Sequence, residues 1–409
     1  MFFLEKIEND LILLAYTIIV GIISGVIIWS FIEIMNLGIY FLWDYLPGLL
    51  HFKYYTVVTC LLGGLIIGLF KEKYGDATQE LKVVVENVRT NHRYPYQNIF
   101  QSIVSALLPL MIGASVGPEA GLTGIIASLC TWASDRLKIF NKELEDMASI
   151  GVSATLGVIF ASPLFAFVEP IENEENVKLP KTSKNILYFA AILSSFGVFM
   201  LLNHLTASNM GMQLVGAASL SNLNYCYLIL LMLVGIILGY FYFLMNILVK
   251  KLFKGICESY IIKSVIGGLI LGIVGTLLPL TMFSGEYQIH ILLDNALEIS
   301  VALLILTSIV KILLTNICIE SGLKGGHFFP LIFSGIAMGY AMSMIFNMDP
   351  VLSMAIVTTA LLANILKKPI AVVLLLMILF PVNLILLMLI TAVISCLFQT
   401  PKRLQLKGD

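Results

Sequence analysis

The stretch Ile112-Gly113-Ala114-Ser115-Val116-Gly117-Pro118-Glu119-Ala120-Gly121-Leu122-Thr123 sets a carboxylate, Glu119, between two apolar runs, Ile99 to Ile112 before it and Leu122 to Trp132 behind it. A charge in such a place is costly and marks a functional position. Gly113, Gly117 and Gly121, with Ser115, break the incoming helix, and the pattern predicts that a helix restarts at once after Glu119. The first turn of a helix leaves N–H groups without an intrahelical acceptor, at the positive end of the helix dipole. The stretch therefore predicts a seat for an anion, which Glu119 fills when no anion does.

The rest of the chain is a membrane protein by composition. Of its 409 residues 59% are hydrophobic and 12% are charged, against about 25% charged in a typical soluble domain. The mean hydropathy is +0.97. A formal net charge of -1 offers no basic surface for nucleic acid. Cys60, Cys130, Cys226, Cys257, Cys318 and Cys396 are scattered, mostly within apolar segments, and form no C-x-x-C pair. They read as buried thiols rather than a metal site or a disulfide framework, and no cofactor is indicated. The first apolar run, Leu11 to Phe31, is too long for a signal-peptide core and reads as a retained helix.

Along the chain, a polar lead from Met1 to Asp10 precedes a long apolar run from Leu11 to Leu42, which predicts a tilted helix. Tyr54 to Phe70 is the next span, followed by a polar interval from Tyr74 to Gln97. Then come Ile99 to Ile112, Leu122 to Trp132 and Met147 to Phe160, with a charged linker from Asp135 to Glu145 and a hydrophilic interval from Glu169 to Asn185. The second half places spans at Ile186 to Leu202, Tyr225 to Leu252, Ile261 to Met282, Ile299 to Ile319, Leu331 to Phe346, Met354 to Leu366 and Ile370 to Phe398. Several are short or broken by glycine or proline, the form used by transporters with a midplane site. Lys and Arg gather at 71 to 93, 136 to 142, 178 to 184, 250 to 263, 367 to 368 and 402 to 403. The positive-inside rule makes those segments, and both termini, cytoplasmic in a multi-pass cell-membrane protein.

The halves echo one another. Val20-Gly21-Ile22-Ile23 returns as Val234-Gly235-Ile236-Ile237, and Gly63-Gly64-Leu65-Ile66-Ile67-Gly68 as Gly267-Gly268-Leu269-Ile270-Leu271-Gly272. Gly113 and Gly117 match Gly322 and Gly326, and Pro163 matches Pro369. The first glycine pair ends at a cytoplasmic cluster and the second leads away from one, so repeats over 1–205 and 206–409 are expected to be inverted about a shared site. The counterpart of the Glu119 stretch is Ser321-Gly322-Leu323-Lys324-Gly325-Gly326-His327-Phe328-Phe329-Pro330, in which Pro330 suits a helix start.

These loops resemble those of the chloride channel and proton-coupled chloride antiporter (CLC) family. Gly326-His327-Phe328-Phe329-Pro330 is similar to the family's G-x-F-x-P signature, and Gly117-Pro118-Glu119-Ala120-Gly121 to its G-x-E-G-P signature. Phe160-Ala161-Ser162-Pro163-Leu164 resembles its F-N-A-P-L element, and Lys368-Pro369-Ile370 its later A-P-L element. The resemblance implies an all-α polytopic membrane protein, an inverted-repeat bundle of tilted and broken helices, and a homodimer in lipid with one anion pathway per subunit. It implies chloride or a related anion as cargo, with protons exchanged through Glu119 as gate and proton acceptor. Ser115, Gly117, Pro118, Gly326, His327, Phe328, Phe329 and Thr78 are the residues expected around the anion.

There are departures. The family's G-S-G-I-P loop falls near Tyr74 to Gln79, where this chain has Gly75-Asp76-Ala77-Thr78-Gln79; Thr78 supplies a hydroxyl, while Asp76 is expected to repel an anion. Gln399 to Asp409 contains no tyrosine to match the family's pore tyrosine, and no regulatory module is expected after Gln399. Gly121 replaces the proline that starts the gate helix. The family's inner proton acid falls near Glu172, beside Asn173 and Pro170; Glu169 and Glu172 read either as a proton relay or as the start of a solvated loop.

His327 reads as a pore-side or packing residue. Lys311 is expected to snorkel or pair, with Glu320 as a partner, or to add positive potential to the pathway. A passive anion channel and a fluoride-type exporter share these features with an antiporter. An intramembrane hydrolase with Ser115 as nucleophile, His327 as base and Glu119 as orienting acid is the rival from another class, and a non-transporting membrane scaffold is a third.

Overall fold

The structure, a computed structural model, describes residues 2–76, 78–137, 147–169, 172, 182–206, 214–219, 225–256, 259–294 and 299–398. The elements, in order, are α1 (Phe2–Tyr40), a wider π-helical turn (Phe41–Tyr45), α2 (Leu46–Leu50), α3 (Tyr55–Tyr74), α4 (Leu81–Asn91), α5 (Ile99–Met111), α6 (Glu119–Leu137), α7 (Met147–Ile159) and α8 (Pro163–Val168). They continue as α9 (Thr182–Thr206), α10 (Tyr225–Ile256), α11 (Tyr260–Leu277), α12 (Glu286–Asp294), α13 (Val301–Glu320), α14 (Phe328–Phe346), α15 (Pro350–Leu366), α16 (Pro369–Leu376) and α17 (Ile385–Leu397). Seven helical stretches among the described residues are long and apolar enough to cross a membrane, beginning with Leu11–Leu50 and ending with Phe328–Phe346.

Three expectations need correction. Helix α1 starts at Phe2, inside the polar lead, because Glu5, Lys6 and Glu8 are strong helix formers despite their charge. The polar interval from Tyr74 to Gln97 contains α4, whose Leu81, Val84 and Val88 fall on one helical face and are buried. The run from Ile370 to Phe398 is two helices, interrupted at Pro381, which caps a short 3-10 turn (Val382–Leu384). The expected linker tail 138–145 and most of the interval 169–185 lie outside the described residues, as does the tyrosine-free segment 399–409.

The chain forms two interleaved compact units: Met1–Leu37, Ala77–Leu107 and Glu119–Gly211 make the first, and Gly38–Asp76, Leu108–Pro118 and Met212–Asp409 the second. In the first unit, α7 is enclosed by α4, α6, α8 and α9, and Ile150 and Ala154 of α7 pack with Ala191 of α9. Backbone approach is close enough there that a Cβ on Gly25 of α1 would sit 2.5 Å from the Ser195 carbonyl. In the second unit α14 is the central helix, buried against α13 and α15, and its outer neighbour α10 turns Ile229, Ile237 and Leu252 outward as an apolar surface suited to lipid.

Positions matched in the sequence share their local structure. Gly113 and Gly322 both adopt positive φ, 81° and 97°. Ala161 (φ 45°) and Lys367 (φ 58°) both precede an extended cap and a proline, Pro163 or Pro369, that opens a short helix. The matched glycine pairs of α3 and α11 lie against each other in the second unit: a Cβ on Gly64 would reach within 2.4 Å of the Ser264 carbonyl, and one on Gly268 within 2.3 Å of the Cys60 carbonyl. Small residues that let helix backbones touch are the usual means of association in lipid.

Gly268→Ala is therefore expected to destabilise the protein, by about 1–3 kcal/mol of overpacking, even though alanine is the better helix former. Gly197→Ala in α9, where a Cβ meets nothing within 4 Å, is the control and is expected to be neutral or stabilising. Apparent melting temperatures of the purified variants separate the two; equal values would remove the close-packing account.

Candidate functional site

The two glycine-rich loops lie within the second unit and are joined by their backbones. Gly117 N–H donates to the Gly326 carbonyl at 2.8 Å and Gly326 N–H to the Gly117 carbonyl at 2.7 Å. This two-bond bridge is what brings the expected site residues together. It also differs from the expectation in one respect: the N–H groups of Gly117 and Gly326 are given to each other and are not open to an anion. Behind the bridge, Thr315 donates to the Lys311 carbonyl at 2.8 Å, which leaves Ser115 to donate to Thr315 Oγ1 at 3.2 Å. Ser115 is thus a tie between the first loop and α13. The nucleophile–base pair of a hydrolase is not formed, because the Ser115 hydroxyl faces Thr315.

Helix α14 starts two residues beyond Gly326, with His327 as its cap residue. Phe328 and Phe329 are 7% and 1% exposed and Pro330 is buried, so the helix start is walled by apolar side chains. The His327 ring stacks between Tyr242, at 5.5 Å, and Phe328, at 4.8 Å, which makes it a packing element at the cap.

Lys311 lies on α13 and is fully buried. Its ammonium donates to three carbonyls, Thr281 at 3.1 Å, Met282 at 2.9 Å and Phe283 at 2.7 Å, and lies 5.1 Å from the Phe333 ring centre. Three donors are thereby used, so the pairing expected with Glu320 gives way to backbone carbonyls. Phe283 N–H in turn donates to the Gly113 carbonyl at 3.0 Å, and the Phe283 ring meets Trp43, whose indole N–H donates to Met111. Lys311 holds the 281–283 turn, and that turn holds the start of the first loop.

Asp76 does not act as a bare repulsive charge. Its carboxylate bonds Lys71 at 2.7 Å through one oxygen and Lys324 at 2.6 Å through the other. Burial raises the Asp76 pKa, but the two lysines overcome it and hold the carboxyl below its ordinary range. Neither lysine was legible as its partner: one is on α3 and the other in the second loop.

In the first unit, Glu119 is the first residue of α6 and is completely buried. Thr123 donates to the Glu119 carbonyl at 2.6 Å. Gly121 allows α6 to lie tight on α5, where its added Cβ would meet the Ala106 Cβ at 2.5 Å. That close contact gives a physical reason for glycine in place of proline. Thr78, 4% exposed, donates to Ser105 of α5 at 3.0 Å and lines a small cavity with Gln79, Tyr94, Ser102, Gly121 and Gly124. Tyr94 was not expected here: its hydroxyl donates to Gln79 at 3.2 Å, and burial pushes its pKa up to about 12. Glu169 and Glu172 continue the turn at the end of α8, with N–H groups donating to Phe165 and Val168, and both are half-buried. Pro170 and Asn173 lie outside the described residues.

Residues 56–400 match the model of the voltage gated chloride channel family. The chain belongs to that family. It is 25% identical over 368 residues to the chloride channel protein CLC-e of Arabidopsis thaliana, covering 80% of this chain and 49% of the relative, so it spans about half the length of that protein. It is 23% identical to the putative ion-transport protein YfeO of Escherichia coli, covering 82% and 79% of the two chains. Its identity to the H(+)/Cl(-) exchange transporter ClcA of Klebsiella pneumoniae is 26%, over 71% and 61%. A slow cyanobacterial Cl-/H+ antiporter shares the fold, with a TM-score of 0.78 at 19% identity over 94% of this chain and 93% of the other. A CLC-type fluoride/proton antiporter does so at 0.74 and 18%, over 95% of each. The chain is accordingly a multi-pass, all-α membrane protein of the CLC fold.

Removing the Lys311 ammonium strands two buried carbonyls, of Thr281 and Met282, and the part-buried one of Phe283; a buried polar group costs about 1–3 kcal/mol when left unsatisfied. Lys311→Met is expected to lose about 2 kcal/mol or more and to lower the apparent melting temperature, whereas Lys254→Met, at an exposed position of α10, is expected to change little. A Lys311→Met protein as stable as the wild type would show that the 281–283 turn needs no ammonium.

Proposed function

We propose that this chain carries chloride or a similar small anion across the membrane, past the helix starts that follow Gly117 and Gly326, with Glu119 as gate and proton acceptor. The observation that supports this best is the Gly117–Gly326 bridge, which joins the two loops inside an apolar protein. Each bridging glycine stands two residues before a helix, α6 or α14, and two residues of chain reach at most about 7 Å. Helix starts offer N–H groups and positive potential, which replace the water that a permeating anion gives up. Ser115 acts through position, by tying its loop to Thr315, and Thr78 adds a hydroxyl. Phe328 and Phe329 keep the approach dry.

Ionised Glu119 competes with the anion for the outer part of the seat; protonated, it leaves and the path opens. Where Glu119 takes its proton from one side at a time, anion and proton move in exchange. Glu169 and Glu172, in the half-buried turn after α8, are the acids that pass protons inward. The fold works as two inverted repeats, 1–205 and 206–409, with both termini cytoplasmic and a second copy of the chain as partner. The recurrence of positive φ at Gly113 and Gly322, and of the cap geometry before Pro163 and Pro369, supports the repeats.

In liposomes loaded with chloride, the wild-type protein is expected to release chloride and move protons in the opposite sense. Glu119→Gln should abolish proton movement and leave chloride flux in place. Proton coupling that survives in Glu119→Gln would refute the gate, and a wild type that releases no chloride would refute transport.

A further inference from the structure

The first loop begins at the end of α5, and the last carbonyls of a helix have no intrahelical donor. Inside an apolar protein they must find donors elsewhere. Three successive carbonyls do so from three different elements. Met111 accepts from the Trp43 indole N–H at 2.9 Å, Ile112 from the Cys60 thiol of α3 at 3.6 Å, and Gly113 from the Phe283 N–H at 3.0 Å. The N–H groups of Ile112, Gly113 and Ala114 turn back into α5, onto the carbonyls of Leu108, Leu110 and Pro109. The path of the chain out of α5 is thus fixed from outside before it reaches Gly117. All of these residues lie within the second unit.

Trp43 is itself held in place. It stands on the π-helical turn Phe41–Tyr45, a local irregularity that is frequent at functional sites. Tyr55 of α3 meets its ring edge to face at 6.2 Å and donates its hydroxyl to the neighbouring Leu42 carbonyl. Phe283 meets the same ring at 5.5 Å. With φ 59°, Phe283 is in a conformation costly for a residue with a side chain, and it is fixed at both ends, its N–H on Gly113 and its carbonyl on the Lys311 ammonium. Gly38 of α1 lies against the Met111 side chain, where a Cβ would come within 2.3 Å of Met111 Cε. The adjoining segments 44–51 and 285–298 carry no lysine or arginine, so the positive-inside rule makes them external. A tryptophan at that level of a membrane protein ordinarily offers its N–H to water or headgroups. This one turns it inward onto a helix end.

We propose that Trp43 is a positioning residue of the anion path, acting through the Met111 carbonyl to keep the negative end of that peptide turned toward the outer elements. Without the indole N–H, the carbonyl keeps its negative end and must turn to find another donor. The 111–113 segment then loses its outermost tie, and a carbonyl released beside an anion path competes with the anion for the same positive groups. Trp43 so links the external aromatic cluster to the loop that carries the Gly117–Gly326 bridge. Its effect on transport rests on the transport reading above; its tie to the loop does not.

Trp43→Phe keeps an aromatic ring beside Tyr55 and Phe283 and removes the N–H. In chloride-loaded liposomes it is expected to raise the chloride concentration for half-maximal efflux by about threefold or more, the weight of one hydrogen bond. A purely structural role would lower the maximal flux, through loss of folded protein, and leave half-saturation in place. The second readout is the fluorescence of Trp43 itself. The chain has three tryptophans; the Trp29 indole N–H has no acceptor among the described residues and Trp132 is 45% exposed, so Trp29→Phe/Trp132→Phe leaves Trp43 as the sole emitter at little cost to the fold. Titrating that purified protein with potassium chloride, against potassium sulfate at equal ionic strength, is expected to change the emission in a saturable way. An unchanged half-saturation in Trp43→Phe overturns the positioning role and leaves wild-type transport, and with it the reading above, in place. So does an emission indifferent to chloride. A wild type that releases no chloride defeats that reading instead, and the emission then decides alone: a saturable response upholds the tie between Trp43 and an anion-loaded loop, and no response removes it.

Discussion

Two loops run without helical hydrogen bonds through the middle of an apolar protein, and each supplies the other with what lipid and side chains do not. Backbone N–H and C=O groups buried away from water must be paired within the protein. Gly117 and Gly326 meet this requirement reciprocally, through the only bridge of strand type among the described residues. A side chain at Gly325 would enter Val116 at 2.5 Å, so the approach depends on glycine on the second loop as well. Without that pairing, neither loop would have a fixed neighbour in the other.

The bridge is braced from behind by groups that carry no signature of their own. Ser115, Thr315 and the Lys311 carbonyl form a chain of hydrogen bonds from the first loop into α13, and the Lys311 ammonium reaches the 281–283 turn that returns to Gly113. The first loop is therefore held at both its beginning and its middle by one helix. A lysine suits this task because its long stem crosses apolar packing and its three donors match three carbonyls.

How much of this was legible depended on the range of the interaction. Glu119 stood out because its apolar flanks are adjacent in sequence, and burial followed directly. The helix breaks at Gly113 and Gly322 were legible for the same local reason. Helix α4 was not, since a short amphipathic helix with a narrow buried face looks polar in a run of sequence. Asp76 read as an obstacle to an anion because one neutralising partner, Lys324, comes from a loop far along the chain. For Lys311 the sequence offered snorkelling, a pairing such as Glu320 on its own helix, or a charge on the pathway, whereas its acceptors are backbone carbonyls, which every sequence offers everywhere and no sequence marks. The role of Gly117 and Gly326 was seen in outline and misjudged in detail: the pattern marks an exposed helix start, but only the fold shows which N–H groups are already taken.

The sign of the buried charge argues for the kind of ion. Beside the second loop, Lys71 and Lys324 stand against Asp76, so the basic groups of that ion-pair cluster outnumber the acidic ones. A cation would meet the positive potential of the helix starts as a barrier. An anion meets it as compensation for lost water. A gate in such a path must itself be negative to compete with the anion, and it must be able to lose that charge to let the anion by; a carboxylate meets both conditions, and among the residues of the 112–123 stretch Glu119 alone supplies one.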